Sequence, residues 1–538
     1  MLRRSRTGIA ARFRLAGALV AAALLLLCPT LAHAENGAKT LRFIPQADLR
    51  SIDPIWTTAY VTRNFGYLVF DTLFALDKDF KPQPQMVDGW TVSDDKLTYK
   101  FTLRDGLKWH DGQPVRAADC IASIERWAKR DQFGQKMMEA VASMTADGDK
   151  SFTIALKAPF PLLLNALGKL SSNVPFMMPE RLAKTDAFQQ IPEAIGSGPF
   201  KFVKEEWAPG SKAVFLKNTD YVPRKEPPSL AAGGKVAKVD RVEWLYIPDV
   251  ATAAAALNAG EADWYEQPPA DILPVFASNK DVVVNTVDPL GNMGVLRFNH
   301  LLPPFNNVKM RQAVLNLVDQ RDYMRAVAGD EKYWKACPSI FICGGTPFES
   351  TAGADALMNG PNPAKAKQLI QEAGYKGERI VLMSATDQPI VHQQALVTTE
   401  ALRAAGLNID LQANDWGTLI TRRASKEPID KGGWNLFHTW TSAPDMLSPA
   451  LNIPLRANGE KAWFGWPTDP KLEELIDAWF KASDPAMQKK LADQIQEQAY
   501  STVPYVPTGQ FVVPTAYRKN LDGIIIAPVV FLWNVDKR

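Results

Sequence analysis

The segment 379–412 constrains the fold more than any other part of the chain. Apolar runs at 379–384 and 407–412 predict two strands, and the stretch His392–Ala405, which ends at Gly406, predicts a helix between them. A strand, a crossover helix and a second strand form a parallel pair in an α/β sheet. The sequence therefore predicts an α/β fold for this part of the chain.

The remainder of the chain changes character along its length. Leu97–Leu103 and Ser151–Leu156 alternate apolar and polar residues, as half-buried strands do. Further strands are predicted at 41–45, 200–205, 242–247, 434–440, 505–513 and 524–533. Helices are predicted at 65–76, 117–129, 252–259, 308–327, 363–373, 416–425, 470–481 and 485–500. A β-rich first half, an α/β second half and a β-rich tail predict two lobes, with the C-terminus returning to the first.

The first 34 residues resemble an export signal. Five arginines precede Leu15–Leu27, an apolar run too short to cross a bilayer core of about 30 Å. Ala32-His33-Ala34 offers small residues at the two positions that signal peptidase reads. A membrane anchor and lipid attachment at Cys28 are the alternatives, and Leu27 is a poor neighbour for lipid attachment. We expect cleavage after Ala34 and export to a bacterial periplasm.

Removal of this leader changes the formal charge of the chain. The leader carries five arginines and no acidic residue, so the net charge changes from +3 to −2. Nothing indicates nucleic-acid binding, which requires a concentrated basic face. The remaining 504 of the 538 residues exceed what one core holds, so at least two lobes are expected. The 15 tryptophans suit a core and also a cleft that encloses a ligand.

Three cysteines follow the leader. Cys337 and Cys343 flank five residues, and in an oxidising compartment this spacing favours a disulfide that closes a small loop. A metal site is the alternative, but no histidine lies nearby and the spacing is not that of a zinc site. Cys120 lies in a helical pattern and is interpreted as a buried apolar residue.

The stretch Trp434–Asn452 is the first candidate for a ligand site. A predicted strand, Trp434–Trp440, is followed by a loop that contains Pro444 and Asp445. Proline lacks an amide donor and restricts the residue before it, so the strand does not continue easily through this stretch. A buried strand that ends in an aromatic and hydroxyl-rich loop is suited to present side chains to a small ligand. A core strand followed by an ordinary loop is the alternative.

Several blocks of this sequence resemble family 5 of the extracytoplasmic solute-binding proteins, the peptide, dipeptide and nickel-type receptors of ABC importers. The blocks are LRDGLKWHDGQPVRAADCIASIERW (103–127), GSGPFKFVKEEWAPGSKAVFLKNTDYVP (196–223), RFNHLLPPFNNVKMRQAVLNLVDQRDYM (297–324) and AGY (373–375). They span almost the whole chain after the leader and keep the order that they have in the family. The resemblance is specific to the family but not to a ligand.

The resemblance implies a two-lobed fold that encloses its ligand between lobes that close by hinge motion. The first lobe is expected to be discontinuous, with an extra subdomain inserted in it. The expected segments are 39–71, 190–293 and 505–538 for the first lobe, 72–189 for the extra subdomain and 294–504 for the second lobe. The hinge is expected near 291–296 and 500–505.

The resemblance also implies a role for the loop 439–449. In peptide-binding members of the family, an aspartate in the loop after a tryptophan-bearing strand pairs with the ligand's terminal ammonium. Here Ala443-Pro444-Asp445 stands where an acidic pair around proline is typical, and the loop is shorter. Asp445 therefore offers a carboxylate in this region, without implying that a free peptide N-terminus is recognised.

We expect nine residues to form the ligand site, and each has a structural alternative. Trp440 and Trp416 are the leading aromatic contacts, although either also suits the core. Asn292 and Met293 adjoin the expected hinge, and Arg422 or its neighbour Arg423 has the fork geometry that suits a carboxylate. The full set is Trp440, Asp445, Trp416, Tyr60, Thr58, Asn292, Met293, His438 and Arg422.

The sequence does not indicate catalysis, a cofactor or a metal site. The histidines after the leader (His110, His300, His392 and His438) have no paired-ligand spacing. Only His438 lies in the expected ligand strand, where a buried hydrogen-bonded histidine is the favoured interpretation.

Three hypotheses about function remain. The first is a monomeric periplasmic receptor that passes a small peptide or peptide-like solute to the permease of an ABC transporter. The alternatives are an oligosaccharide receptor of the same fold and a secreted hydrolase.

Overall fold

Two large mixed sheets organise the chain. The computed structural model describes residues 39–538, so the expected leader at 1–34 lies outside the described residues. One sheet has seven strands and the other has six. Across residues 39–538 no helix combines the length and the apolar character needed to cross a bilayer.

The seven-stranded sheet is built from the beginning, middle and end of the chain. Thr40–Ile44 pairs in parallel with Arg241–Leu245 and Trp264–Tyr265, and the other pairs are antiparallel. Phe43 packs against the rings of Trp244 and Trp264. In spatial order the strands are Phe200–Phe202, Lys212–Lys217, Arg241–Leu245, Thr40–Ile44, Trp264–Tyr265, Thr515–Arg518 and Val282–Asn285.

The six-stranded sheet contains the predicted strand, helix and strand unit. Ile380–Ala385 and Ile409–Asn414 pair in parallel, and helix Pro389–Ala404 connects them. This confirms the prediction of a parallel α/β arrangement. In spatial order the strands are Trp334–Lys335, Tyr505–Phe511, Asn292–Phe298, Leu436–Ser442, Ile380–Ala385 and Ile409–Asn414.

A separate antiparallel sheet lies within the region expected to form the extra subdomain. Its strands, in spatial order, are Val87–Val92, Thr98–Leu103, Ser151–Leu156 and Val141–Ala146. Phe101 lies opposite Phe152, and their rings stack at 5.1 Å, so the predicted apolar faces of the two central strands meet in one core. Three two-stranded ribbons join Asp71–Thr72 to Phe176–Met177, Phe74–Leu76 to Pro82–Pro84, and Leu521–Asp522 to Asp536–Lys537.

Helices cover these sheets. They are Tyr60–Val69, Ala117–Arg130, Gln132–Ala140, Leu163–Leu167, Glu180–Ala183, Val250–Ala259, Leu273–Phe276, Val308–Leu315, Gln320–Ala328, Asp355–Met358, Pro363–Ala373, Pro389–Ala404, Trp416–Arg422, Pro470–Lys481 and Pro485–Thr502. Short 3-10 turns occur at Lys204–Glu206, Glu331–Tyr333, Ile429–Lys431, Ala443–Met446, Ile453–Leu455 and Gly459–Lys461. Cys337 and Cys343, the pair expected to bond, are joined as a disulfide, and Cys120 is buried.

Three element predictions are wrong. The predicted helix 308–327 is two helices, because the Asp319 side chain accepts the Arg321 amide at 3.0 Å and starts a new helix. The predicted helix 65–76 ends at Val69 and continues as short strands. The stretch 524–533 forms no strand. Its apolar residues serve packing instead, since the rings of Phe531 and Trp533 contact Tyr67.

Strand pairing also corrects two expected lobe boundaries. Tyr505–Phe511 pairs with Asn292–Phe298, so residues 505–511 belong to the second sheet rather than the first lobe. Asn292 and Met293 likewise lie in the second sheet. The chain therefore passes between the two large sheets at 286–291 and at 512–514.

One buried arginine anchors the second sheet to the loops beside it. Arg297 is buried in strand Asn292–Phe298 and donates to the carbonyl oxygens of Phe464 at 2.6 Å and Pro454 at 2.7 Å. It also donates to Pro504 at 3.0 Å and Trp463 at 3.1 Å. Because the backbone is held at these points, the aromatic loop 463–466 has a fixed position relative to the sheet.

We expect Arg297→Met to destabilise the protein by roughly 3 kcal/mol, because it leaves buried carbonyl groups without donors. The measurement is chemical denaturation followed by tryptophan fluorescence. Arg321→Met is the control, because Arg321 is exposed and pairs only with Asp319 nearby. Equal unfolding midpoints for the two variants would contradict the anchoring role of Arg297.

Candidate functional site

The site begins where strand Leu436–Ser442 ends. The strand runs to Ser442, two residues further than predicted, and then turns into the 3-10 segment Ala443–Met446. Pro444 lies in the first turn of that segment, where its missing amide donor costs nothing. The turn places Asp445 in the interior with only 2% of its surface exposed.

The Asp445 carboxylate joins two parts of the chain that are far apart in sequence. Its Oδ2 atom accepts hydrogen bonds from the Tyr60 hydroxyl at 2.9 Å and the Ser171 hydroxyl at 2.8 Å. Among residues 39–538 no donor contacts its Oδ1 atom, although that atom is also buried. A buried carboxylate oxygen without a donor is costly, which makes this position a candidate for a ligand contact.

Burial and nearby charges shift the pKa of Asp445 in opposite directions. Burial raises the pKa of Asp445, whereas Lys169 and Arg63 lower it. Lys169 is committed to a buried ion pair with Asp131. Arg63 donates to the Ser171 hydroxyl at 2.6 Å. The Asp445 carboxylate is therefore buried with two cations nearby, but neither cation donates a hydrogen bond to its Oδ1 atom.

Tyr60 completes the contact between the two sides. Its hydroxyl accepts the Ser442 amide at 2.8 Å while donating to Asp445. The Tyr60 ring stacks on the Trp440 ring, with the two centroids 4.8 Å apart. The Arg63 guanidinium lies 4.4 Å from the centroid of the Tyr60 ring. Burial, followed by the charge of Asp445, raises the pKa of Tyr60 well above its ordinary value, so Tyr60 stays a neutral donor.

Two adjoining cavities lie beside these residues. The smaller, of about 60 Å³, is lined by Tyr60, Trp440 and Asp445 among others. The larger, of about 950 Å³, extends toward Trp56 and Phe188. Thr58, Trp416, Arg423 and Trp463 line both cavities, so the two cavities adjoin. The volume of the larger cavity lies within the range of small-molecule sites, about 300–1,000 Å³.

A third cavity, of about 1100 Å³, lies near the connection 512–514. Its charged lining residues are all exposed: Asp249, Asp271, Arg325, Asp330 and Lys332. Exposed charges are already hydrated and have no need of a ligand partner. The third cavity is therefore a solvated groove, although its volume is the greatest of the three. The cavity at Asp445 is the better candidate site.

Five of the nine expected residues come together at this site. Tyr60, Thr58, Trp416, Trp440 and Asp445 line the smaller cavity. Arg422 lines only the larger cavity, and its guanidinium donates to the carbonyl oxygens of Gly432 at 2.8 Å and Gly433 at 2.9 Å. Its neighbour Arg423 faces both cavities instead.

Three expected residues line none of these cavities. Asn292 and Met293 are buried in the strand between Leu436–Ser442 and Tyr505–Phe511. His438 is buried, and its Nε2 lies 2.7 Å from the Thr398 hydroxyl. Burial lowers the pKa of His438 to about 3, so it is neutral. These three are packing residues, and their selection as site residues is wrong.

Sequence reasoning missed several residues of the site. Ser171, Arg63, Trp463 and Arg130 reach it from four separate segments. Nothing local distinguishes them, because an arginine at the end of a helix and a serine in a loop are ordinary on a surface. Only the tertiary arrangement brings them to Asp445 or to the larger cavity.

The fold and site together define a class of protein. Two α/β lobes, connected at two points, enclose a buried cavity whose walls come from both lobes. This is the two-lobed architecture of periplasmic solute-binding proteins, which close on a ligand. The crystal structure of a dipeptide-binding protein from Pseudoalteromonas sp. SM9913 in complex with Met-Leu has this fold, with a TM-score of 0.77 at 20% identity over 93% of this chain and 100% of the other.

Sequence comparison identifies the family. The family of bacterial extracellular solute-binding proteins, family 5 Middle, matches residues 81–462. The chain is 41% identical to the probable peptide ABC transporter periplasmic-binding protein y4tO of Sinorhizobium fredii, over 96% of this chain and 98% of the other. It is 26% identical to the glutathione-binding protein GsiB of Salmonella typhimurium, over 94% and 96%. The chain belongs to the family 5 extracellular solute-binding proteins.

A double-mutant cycle tests the contact between Tyr60 and Asp445. Tyr60→Phe removes the donor and Asp445→Asn replaces the charged acceptor with a neutral amide, and we expect a coupling energy of about 1 kcal/mol from denaturation curves. Tyr517→Phe combined with Asp445→Asn is the control, because Tyr517 lines none of the cavities. Strict additivity in the Tyr60 cycle would show that the contact does not form in solution.

Proposed function

We propose that this protein captures a small peptide or peptide-like solute whose free amino group pairs with Asp445, and delivers it to an ABC transporter permease. The observation that carries this proposal is the buried Oδ1 atom of Asp445, which has no donor among the described residues, in a residue that lines a cavity. An ammonium group supplies both the donors and the opposite charge that this oxygen needs.

The walls of the smaller cavity suit such a group. Tyr60 and Ser171 donate to the other carboxylate oxygen, so closure of the lobes fixes the orientation of the carboxylate around the bound ligand. Trp440 and Trp416 offer aromatic faces to the part of the ligand beside the amino group. Thr58 adds a hydroxyl at the junction of the cavities.

Lobe closure brings the two halves of the site together. Tyr60 lies on the side of the first sheet, and Asp445 follows a strand of the second. The Gln388 side chain also reaches across the cleft and donates to the carbonyl oxygen of Gln46 at 2.9 Å. Hinge motion at the connections 286–291 and 512–514 separates these pairs, so an open form releases the ligand and exposes Asp445.

The similar proteins support a peptide-like ligand. The S. fredii relative is named as a peptide transporter component, the Salmonella relative as a glutathione-binding protein, and one protein of the same fold holds Met-Leu. All three ligand types combine a free amino group with amide bonds. On this account the exported chain, cleaved after Ala34, acts as a monomer and binds its ligand without transforming it.

Substitution of Asp445 tests the proposal. We expect Asp445→Asn to weaken binding of short peptides by roughly 2 kcal/mol or more, about thirty-fold, because a buried ammonium loses its charge partner. Calorimetry with a tripeptide and its N-acetyl form measures this, and the N-acetyl form should bind poorly to the native protein. Asp410→Asn is the control, since Asp410 pairs with Arg379 outside the cavities.

Equal affinity for the free and N-acetylated tripeptide would contradict the proposal. So would quenching of tryptophan fluorescence by oligosaccharides but not by peptides. Turnover of the bound ligand would favour the hydrolase alternative over a receptor.

Affinity should also depend on pH through Asp445. The carboxylate must be ionised to pair with an ammonium, and burial raises its pKa. Binding is therefore strongest above that pKa and declines as the pH falls through it, starting at a higher pH than for an exposed aspartate. Calorimetry at several pH values should show this decline in the native protein and a flat profile in Asp445→Asn. A flat profile in both would exclude titration of Asp445.

A further inference from the structure

Among the described residues three guanidinium groups line the larger cavity without a carboxylate partner, and in two of them, Arg423 and Arg130, the Nε atom also lacks an acceptor. Arg423 follows helix Trp416–Arg422 beside the second sheet, and Arg130 ends helix Ala117–Arg130 of the inserted region. Within residues 39–538 neither forms an ion pair within 4.0 Å, and the Nε atom of each is buried without an acceptor. Buried cations normally have an anionic partner, so both positions are incomplete in the chain alone.

Arg423 is the more buried of the two. Its exposed fraction is 4%, and its one hydrogen bond in the described chain is to the Thr58 hydroxyl at 3.5 Å. Its guanidinium lies 4.5 Å from the ring centroid of Phe464 and 5.4 Å from that of Trp463. Burial lowers the pKa of Arg423 to about 9. The aromatic faces hold the guanidinium in place but leave its charge uncompensated.

Arg130 is held in a similar way from the other side of the cavity. It donates to the carbonyl oxygen of Trp56 at 2.8 Å, and its guanidinium lies 4.9 Å from the ring centroid of Phe188. The nearby carboxylate of Asp53 is already paired with Arg126 at 2.6 Å. Arg130 therefore has no carboxylate of its own, although it is half-buried.

The remaining charges of the cavity do not compensate these arginines. Asp48 pairs with Arg50 at 2.9 Å, and Asp387 accepts the Trp416 amide at 2.7 Å. Basic residues of the lining outnumber acidic ones by six to three: Arg50, Lys129, Arg130, Arg422, Arg423 and Lys461 against Asp48, Asp387 and Glu460. The lining of the larger cavity therefore has more basic than acidic residues, whereas the smaller cavity is lined by both Asp445 and Arg423.

We propose that Arg423 and Arg130 each bind an anionic group of the ligand, so that the receptor selects acidic peptide-like solutes carrying one ammonium and at least two carboxylates. This inference rests on the proposed function, because it assumes that the amino group lies at Asp445. The fork of a guanidinium matches a carboxylate with two parallel hydrogen bonds, which favours carboxylates over neutral amides.

Matched peptides test this selectivity without changing ligand size. The tripeptides Ala-Ala-Glu and Ala-Ala-Gln have the same N-terminus and nearly the same shape but differ by one carboxylate. We expect calorimetry on the native protein to show at least about tenfold tighter binding of Ala-Ala-Glu, since a desolvated charge pair replaces a neutral contact. Equal affinities would overturn the inference.

Arginine variants test which residues produce the selectivity. We expect one of the two variants, Arg423→Gln or Arg130→Gln, to lower the affinity ratio of the two peptides to about threefold or less, because it removes the subsite of the Glu side chain. The other variant should weaken both peptides to a similar extent, because it removes the subsite of the C-terminal carboxylate that the two peptides share. Arg379→Gln is the control, since it removes the same charge from an exposed residue outside the cavities and should keep the ratio. An unchanged ratio in both cavity variants would overturn the inference.

Two further measurements keep the outcomes distinct. If Arg423→Gln does not fold, as judged by its melting curve, Arg423→Lys replaces it, because a lysine keeps the charge but cannot bind a carboxylate in two-point fashion. It should change the affinities in the same direction as expected for Arg423→Gln. The affinity for N-acetyl-Ala-Ala-Glu separates the proposed role of Asp445 from the proposed role of the two arginines. Loss of binding on acetylation with equal affinity for the Glu and Gln peptides would retain the role of Asp445 and reject that of the arginines. Unchanged binding on acetylation would reject the role of Asp445 itself.

Discussion

The hydrogen bonds from Tyr60 and Ser171 to one oxygen of Asp445 are the contact on which the site depends. They connect a turn after a strand of the second sheet to segments on the other side of the cleft. A buried carboxylate is stable only when its hydrogen bonds are made, so these two donors hold the closed arrangement in place. Because they occupy only Oδ2, the Oδ1 atom has no donor among the described residues, and we propose that it binds the ligand's amino group.

The charges around the cleft form a complementary pattern. The Oδ1 atom of Asp445 lacks a donor, and Arg423 and Arg130 lack a carboxylate partner among the described residues. Each of these groups raises the free energy of the empty closed form, because a buried charge without a partner is poorly solvated. A ligand with charges of the opposite sign at both ends removes these costs together. Closure is therefore coupled to binding, and the geometry of the charges determines which ligand is favoured.

Much of the fold follows from local patterns in the sequence. The parallel pair around helix Pro389–Ala404 was predictable because hydrophobic periodicity and Gly406 mark its parts. Helix 308–327 was predicted as one element because the apolar period continues across Asp319, whose capping role depends on a single side-chain contact. The membership of strand Tyr505–Phe511 in the second sheet could not be predicted, since strand order depends on long-range pairing.

The candidate site was predictable only in part. Trp440 and Asp445 were identified because a predicted strand ends in an aromatic and hydroxyl-rich loop that the family resemblance also marks, and Tyr60 lies in the loop after the first predicted strand. Ser171 and Arg130 carry no such signal. The most direct test of the central claim is mass spectrometry of the ligand retained by natively purified protein, with and without chemical labelling of amines. The account predicts a small amide-containing molecule with one free amino group that takes the label. A retained carbohydrate, or a ligand without an amino group, would contradict it.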